Sequence, residues 1–101
     1  MRTIARICEE LRQAGLSPIE VENGGVLAVV EGNAPGKTVL LRADVDALPV
    51  QEDPCNLLKE KNCVSQVPGV GHVCGHDCHA AMLVTAGKIL AKHRDFPGRI
   101  I

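Results

Sequence analysis

His72-Val73-Cys74-Gly75-His76-Asp77-Cys78-His79, running straight into the apolar stretch Ala80-Ala81-Met82-Leu83-Val84, is the segment on which the fold of this chain turns. Seven of its first eight residues can bind a metal, carry a proton or let the backbone turn tightly, and the eighth, Val73, separates two of them. Cys74 and His76 stand two apart, so in an extended backbone their side chains point to the same side, as two ligands of one metal must. Asp77 comes just before the apolar run, where a carboxylate caps a helix N-terminus and meets its positive dipole end. The pattern predicts ligands held at a loop-to-helix junction. The helix spans 78–93, apolar on almost every side from Ala80 to Val84, with Thr85, Lys88 and Lys92 as its solvent stripe, and is expected to be mostly buried. Lys92, His93 and Arg94 fall at its C-terminal end, where cations suit the dipole. Pro97-Gly98 breaks the chain, and Arg99-Ile100-Ile101 reads as a strand just beginning, an ending expected of a fragment.

Upstream of the site, Val50 to Gly71 has no clear periodicity and is punctuated by Pro54, Pro68 and Gly69. A connection longer than about 12–15 residues is usually functional or disordered. Before it comes Arg42-Ala43-Asp44-Val45-Asp46-Ala47-Leu48-Pro49, at the end of Thr38-Val39-Leu40-Leu41, a short apolar run expected to be a strand buried on both faces. Two carboxylates two residues apart at a strand's C-terminal end face the same way, and α/β sheets place ligands at those ends. A turn in which the aspartates bond their own backbone explains the same spacing. Further back, Gly32-Asn33-Ala34-Pro35-Gly36 is a turn cluster, Val26 to Val30 a β-branched strand, Asn23-Gly24-Gly25 a turn and Ile19-Glu20-Val21-Glu22 an alternating strand. Ile4, Ile7, Cys8, Leu11 and Ala14 share one helical face, and Gly15 stands where a C-terminal glycine cap belongs, predicting a helix over residues 3–14.

The chain has 101 residues, 46% of them hydrophobic, but Phe96 is its one aromatic, so its core is aliphatic. That length suits one domain with a modest core. Eleven basic and twelve acidic residues are interspersed, with no basic stripe to follow a phosphate backbone, which argues against nucleic acid as a partner. The N-terminal residues become charged too early for a signal peptide and no apolar run approaches the roughly 18 residues of a membrane span, so a cytoplasmic location away from membranes is expected. Five cysteines without a secretory signal fit available thiols better than a disulfide framework.

Three histidines and two cysteines within eight residues favour metal binding over a packed thiol and a hydrogen-bonded loop histidine. Cys74 would bind as thiolate and His76 as neutral imidazole. Two ligands are too few, since a catalytic zinc takes three protein ligands plus water and a structural one takes four. His72, Asp77 and His79 suit supporting or substrate-facing roles. Cys78 reads as a small core residue opening a buried helix, Cys8 as core, Cys55 and Cys63 as incidental loop residues, and His93 as a solvated helix end. Two rival readings of the site are a haem-attachment motif over Cys74–His79, which would require export, and a structural zinc module from Cys55, Cys63, Cys74 and His76, which lacks paired Cys-x-x-Cys knuckles.

Residues 41–49 and 65–83 together resemble the amidohydrolase branch of the aminoacylase and carboxypeptidase-like metallopeptidases, which includes hippurate, N-acyl-amino-acid and indoleacetyl-amino-acid hydrolases. The motifs Leu41-Arg42-Ala43-Asp44-Val45-Asp46-Ala47-Leu48-Pro49 and Pro68-Gly69-Val70-Gly71-His72-Val73-Cys74-Gly75-His76-Asp77 carry the likeness. It implies an α/β fold, part of the helix–sheet–helix catalytic domain of a di-metal peptidase, and hydrolysis of the amide bond of N-acyl amino acids or short peptides. It further implies two divalent ions, zinc or manganese first, with cobalt or nickel as alternatives, that polarise the scissile carbonyl and activate water. The likeness maps a bridging thiolate ligand onto Cys74, a second ligand onto His76 and the supporting acid onto Asp46, with Asp44 where more distant relatives carry a ligand histidine. In that family the general base, the remaining ligands and a lid and dimerisation domain lie downstream, and complete members are expected to be homo-oligomers. Residues 1–101 are therefore expected to be the N-terminal portion of a catalytic domain, inactive alone, with a non-catalytic metal-binding or zinc module as the alternative.

Overall fold

Helix α1 (Arg2–Gln13) forms because Ile4, Cys8 and Leu11 recur on one face, and all three are buried in the computed structural model, which describes residues 2–57 and 59–101. Its C-terminal end closes as the sequence predicts. Gly15 is left-handed at φ 79°, its N–H donates to the Arg12 carbonyl (2.9 Å), and the Leu16 N–H reaches back to the Leu11 carbonyl (3.0 Å). This Schellman arrangement satisfies two orphan carbonyls and drops Leu16 onto Leu11. With Val30 those two residues form the centre of the core, and Ile7, Val26, Leu90 and Phe96 pack around it.

The alternating segment becomes β1 (Ile19–Val21), which turns through Asn23 and Gly24, both at positive φ, into the antiparallel β2 (Gly25–Leu27). The Val26–Val30 run is not one strand. It breaks at Ala28, and its second half, β3 (Val30–Glu31), enters another sheet. There the order is β3–β7–β4, with β4 (Ala34–Val39) parallel and β3 antiparallel to the central β7 (Pro97–Ile100). The predicted turn at 32–36 thus supplies the start of β4, and β7 begins two residues early, at Pro97. Glycines make this possible: a Cβ on Gly98 would collide with the Lys37 carbonyl oxygen, and one on Gly32 with that of Phe96.

β4 is not buried on both faces; all six of its residues are exposed. The ladder runs on beyond it, however, as Ile101 N–H donates to Val39 and Leu41 N–H to Ile101. A parallel pair needs a long crossover, and everything from Leu40 to Phe96 is that crossover. Its first part holds a small hairpin, β5 (Cys55–Asn56) and β6 (Lys59–Glu60), where the sequence promised only an irregular connection. Its second part is α2 (His76–Lys92), two residues longer at its start than predicted. Within α2 only Ala80 is buried, while Met82 is 61% and Ile89 55% exposed. The helix is apolar on almost every side from Ala80 to Val84, but the described elements cover only the side facing α1 and β3. On that side Lys88, expected in the solvent stripe, meets Glu10 of α1. Among the described residues no helix is long and apolar enough to cross a membrane.

Candidate metal centre

An isolated bridge joins the two motifs that the sequence singles out. Leu48 N–H donates to the Gly71 carbonyl and Gly71 N–H to the Leu48 carbonyl, both at 3.0 Å. Two residues before Leu48 lies Asp46 and five after Gly71 lies His76, and their side chains meet: His76 Nδ1 is 2.9 Å from Asp46 Oδ1. His76 opens α2 because Gly75, left-handed at φ 102°, turns the chain into the helix. His79, one turn on, stacks near the His76 ring with centroids 6.2 Å apart.

The pair has a definite polarity. The His76 bond, followed by one from its own backbone N–H, holds the Asp46 carboxyl below the usual carboxylate range, with the charges of His76 and His72 adding to the effect. An ionised Asp46 only accepts, so Nδ1 is the donor in this bond, and in the neutral ring Nε2 is then the nitrogen with a free lone pair. A carboxylate behind an imidazole is the arrangement that orients a metal-binding histidine. Cys74, two residues away in the loop, is exposed and free. An exposed thiol and an oriented imidazole are a donor set that fits a divalent metal in kind. In number it is partial, for no three His, Cys, Asp or Glu side chains among the described residues converge as a metal-holding group.

Several expectations are revised here. Asp44 and Asp46 do not act as a pair: Asp44 accepts from Arg42 at 2.6 Å, while Asp46 turns to His76. Asp77 makes no capping bond, because Gly75 occupies the cap and Asp77 sits inside the first turn, still at the favourable end of the dipole. Cys78 is exposed rather than core, as the described elements cover the other side of α2. Cys8 is fully buried, as expected, and Cys55 and Cys63 are exposed. The four-ligand set Cys55, Cys63, Cys74 and His76 is not assembled among the described residues.

Sequence reading missed Gln51 and Glu52. The Glu52 carboxylate accepts from Ser65 N–H (2.8 Å) and Lys61 Nζ (3.2 Å), and Gln51 Oε1 accepts from Gly69 N–H (2.8 Å). Lone polar residues in an aperiodic stretch carry no pattern. Their one signal was position, directly after Leu48-Pro49.

The likeness seen in the motifs extends to whole chains. The sequence pattern of Peptidase family M20/M25/M40 matches residues 40–101, more than half the chain. Thermostable carboxypeptidase 2 of Saccharolobus solfataricus is 46% identical over 94 residues, covering 88% of this chain and 22% of its own. An N-acyl-L-amino acid amidohydrolase of Geobacillus stearothermophilus is 47% identical over 70 residues, covering 69% of this chain and 18% of its own. The crystal structure of Bacillus subtilis YXEP protein, a dinuclear metal-binding peptidase, superposes with a TM-score of 0.83 at 32% identity, over 98% of this chain and 27% of that one. This chain therefore spans about a fifth to a quarter of the length of these relatives. With motif, fold and sequence pattern in agreement, the chain belongs to Peptidase family M20/M25/M40.

Proposed function

We propose that this chain is the metal-holding N-terminal portion of the catalytic domain of a metal-dependent amidohydrolase, which cleaves the amide bond of N-acyl amino acids or short peptides. The observation that carries it is the Asp46–His76 pair beside Cys74, bridged together from the two family motifs. Cys74 and His76 would hold a divalent metal, and Asp46 would keep the His76 ring turned and its Nδ1 protonated. When bound, divalent metal in such a site polarises a carbonyl and lowers the pKa of water. No general base is assigned among these 101 residues, so the chain is expected to be inactive alone. Relatives called carboxypeptidase and N-acyl-L-amino acid amidohydrolase support the substrate class. A relative called dinuclear supports two ions in the complete enzyme.

The test is metal content of the purified chain by elemental analysis, paired with an assay on an N-acyl amino acid. Metal at or below about one equivalent, lost in Cys74→Ala but kept in Cys55→Ala and Cys63→Ala, without turnover, is the expected result. Release of free amino acid by the wild-type chain would overturn the inactive-portion reading. Metal that depends on Cys55 and Cys63 but not on Cys74 would overturn the ligand assignment.

A further inference from the structure

We propose that Glu52 is a positioning residue for the metal centre: its carboxylate clasps the loop that carries His72–His79 and so sets where Cys74 and His76 stand relative to Asp46. The inference rests on Cys74 and His76 being metal ligands. Four contacts point to it. Glu52 Oε2 accepts the Ser65 N–H at 2.8 Å, and Oε1 meets Lys61 Nζ at 3.2 Å, with only 12% of the Glu52 side chain and 26% of the Lys61 side chain exposed. Gln51 Oε1 takes the Gly69 N–H at 2.8 Å, so two consecutive residues grip the loop at points four residues apart. The stem of Glu52 lies on Gly71, where an added Cβ would be 2.8 Å from the Glu52 Cβ. Gly71 is the residue that bridges to Leu48.

The consequence is geometric. From Ser65 to Gly71 the chain runs over Glu52 before it reaches His72, and from Leu48 back to Asp46 there are two residues. Glu52 is thus seated where the segments bearing Asp46 and His76 are joined, and its bonds remove the freedom of the loop to slide along the Leu48–Gly71 bridge. The Ser65 bond, at 2.8 Å, is shorter than the Lys61 pair, at 3.2 Å. A glutamine keeps a carbonyl oxygen for Ser65, whereas an aspartate keeps the charge but withdraws it by one methylene.

The test compares the 101-residue chain with its Glu52→Gln, Glu52→Asp and Glu52→Ala variants, and with Gly15→Ala as a destabilised control at the far end of α1. Two readouts are taken: amide hydrogen exchange of Leu48, Ser65 and Gly71 without metal, and cobalt(II) titration followed by thiolate-to-cobalt absorption. Glu52→Ala and Glu52→Asp are expected to speed exchange at those amides and to weaken cobalt binding about tenfold, with Glu52→Gln close to wild type and Gly15→Ala unchanged in cobalt affinity. Wild-type exchange and affinity in a folded Glu52→Asp chain would overturn the proposal even if Glu52→Ala does not fold, and so would an equal loss in Gly15→Ala. A wild-type chain with no thiolate–cobalt absorption would instead overturn the ligand reading. The exchange data would then still decide whether Glu52 holds the loop.

Discussion

His76 shows how far one side chain is defined by its partner. Its Nδ1 bond to Asp46 selects the tautomer, and Asp46→Asn replaces an ionised acceptor with a neutral amide that can present either end. The expected outcome is a loss of metal affinity of about 10- to 100-fold, read by isothermal titration with zinc, with little change in helix content by circular dichroism. Cys8 is the opposite kind of cysteine. It is wholly buried on α1 and remote in role from the site, so Cys8→Ser buries a hydroxyl and should cost about 1–3 kcal/mol in a urea titration. Both assignments were legible in sequence, because Cys8 lies on an apolar helical face and His76 in a dense ligand motif. Spacing alone did not separate Asp46 from Asp44, since it puts both carboxylates on the same face; only the family resemblance set Asp46 apart as the supporting acid.

At the scale of elements, two glycines separate backbone strain from crowding. A methyl group at Gly15 would meet nothing within 4 Å, so Gly15→Ala carries only the left-handed backbone penalty, roughly 1–2 kcal/mol. Gly98 shares the positive φ but faces the Lys37 carbonyl oxygen, and Gly98→Ala should add about 1–3 kcal/mol of overpacking and part β4 from β7. Thermal unfolding of the two variants tests the difference. The α1–α2 contact adds a pH dependence. The Lys88 bond, with Lys88 and Arg6 charges behind it, holds the Glu10 carboxyl below its ordinary value. A carboxylate depressed in the folded state stabilises fully above its unfolded pKa, about 4.3, and this contribution fades as pH falls through the lower folded value. Glu10→Gln should therefore flatten the acid side of the stability curve, and the same stability at pH 3 and pH 6 in wild type would contradict the pairing. Helix α1 and its cap were readable in advance because apolar period and glycine position are local. The division of Val26–Val30 between two sheets was not, because each half is decided by a different distant partner.

For the whole molecule, the apolar surface left open is the dominant feature. The radius of gyration is 16.1 Å, against about 13 Å for a compact chain of this size. Leu40 is 70% and Ile19 61% exposed, and a largely apolar groove of about 350 Å³ runs between α1, β2, the end of β4 and α2. Such a surface is an association hazard. The 101-residue chain is expected to self-associate with rising concentration in sedimentation velocity, and the double variant Leu40→Lys/Ile89→Lys to shift the distribution toward monomer; unchanged distributions would show that these residues do not mediate association. The expectation that α2 would be mostly buried failed at this scale. Its composition is that of a buried helix, but burial requires neighbours, and the described elements cover one side.

Sequence was enough for the α/β class, both helices to within two residues at either end, the family, and the residue types of the candidate site, because helical period, glycine caps and ligand motifs are short-range signals. Folding in three dimensions settled the rest: that the Asp46 carboxylate bonds His76 directly, that Asp77 does not cap α2, that a turn cluster begins a strand, and that Glu52 gathers the long connection. Each of those depends on a contact between residues far apart in the chain, such as Asp46 with His76, β4 with β7, or Glu52 with Ser65, and no local pattern encodes the partner.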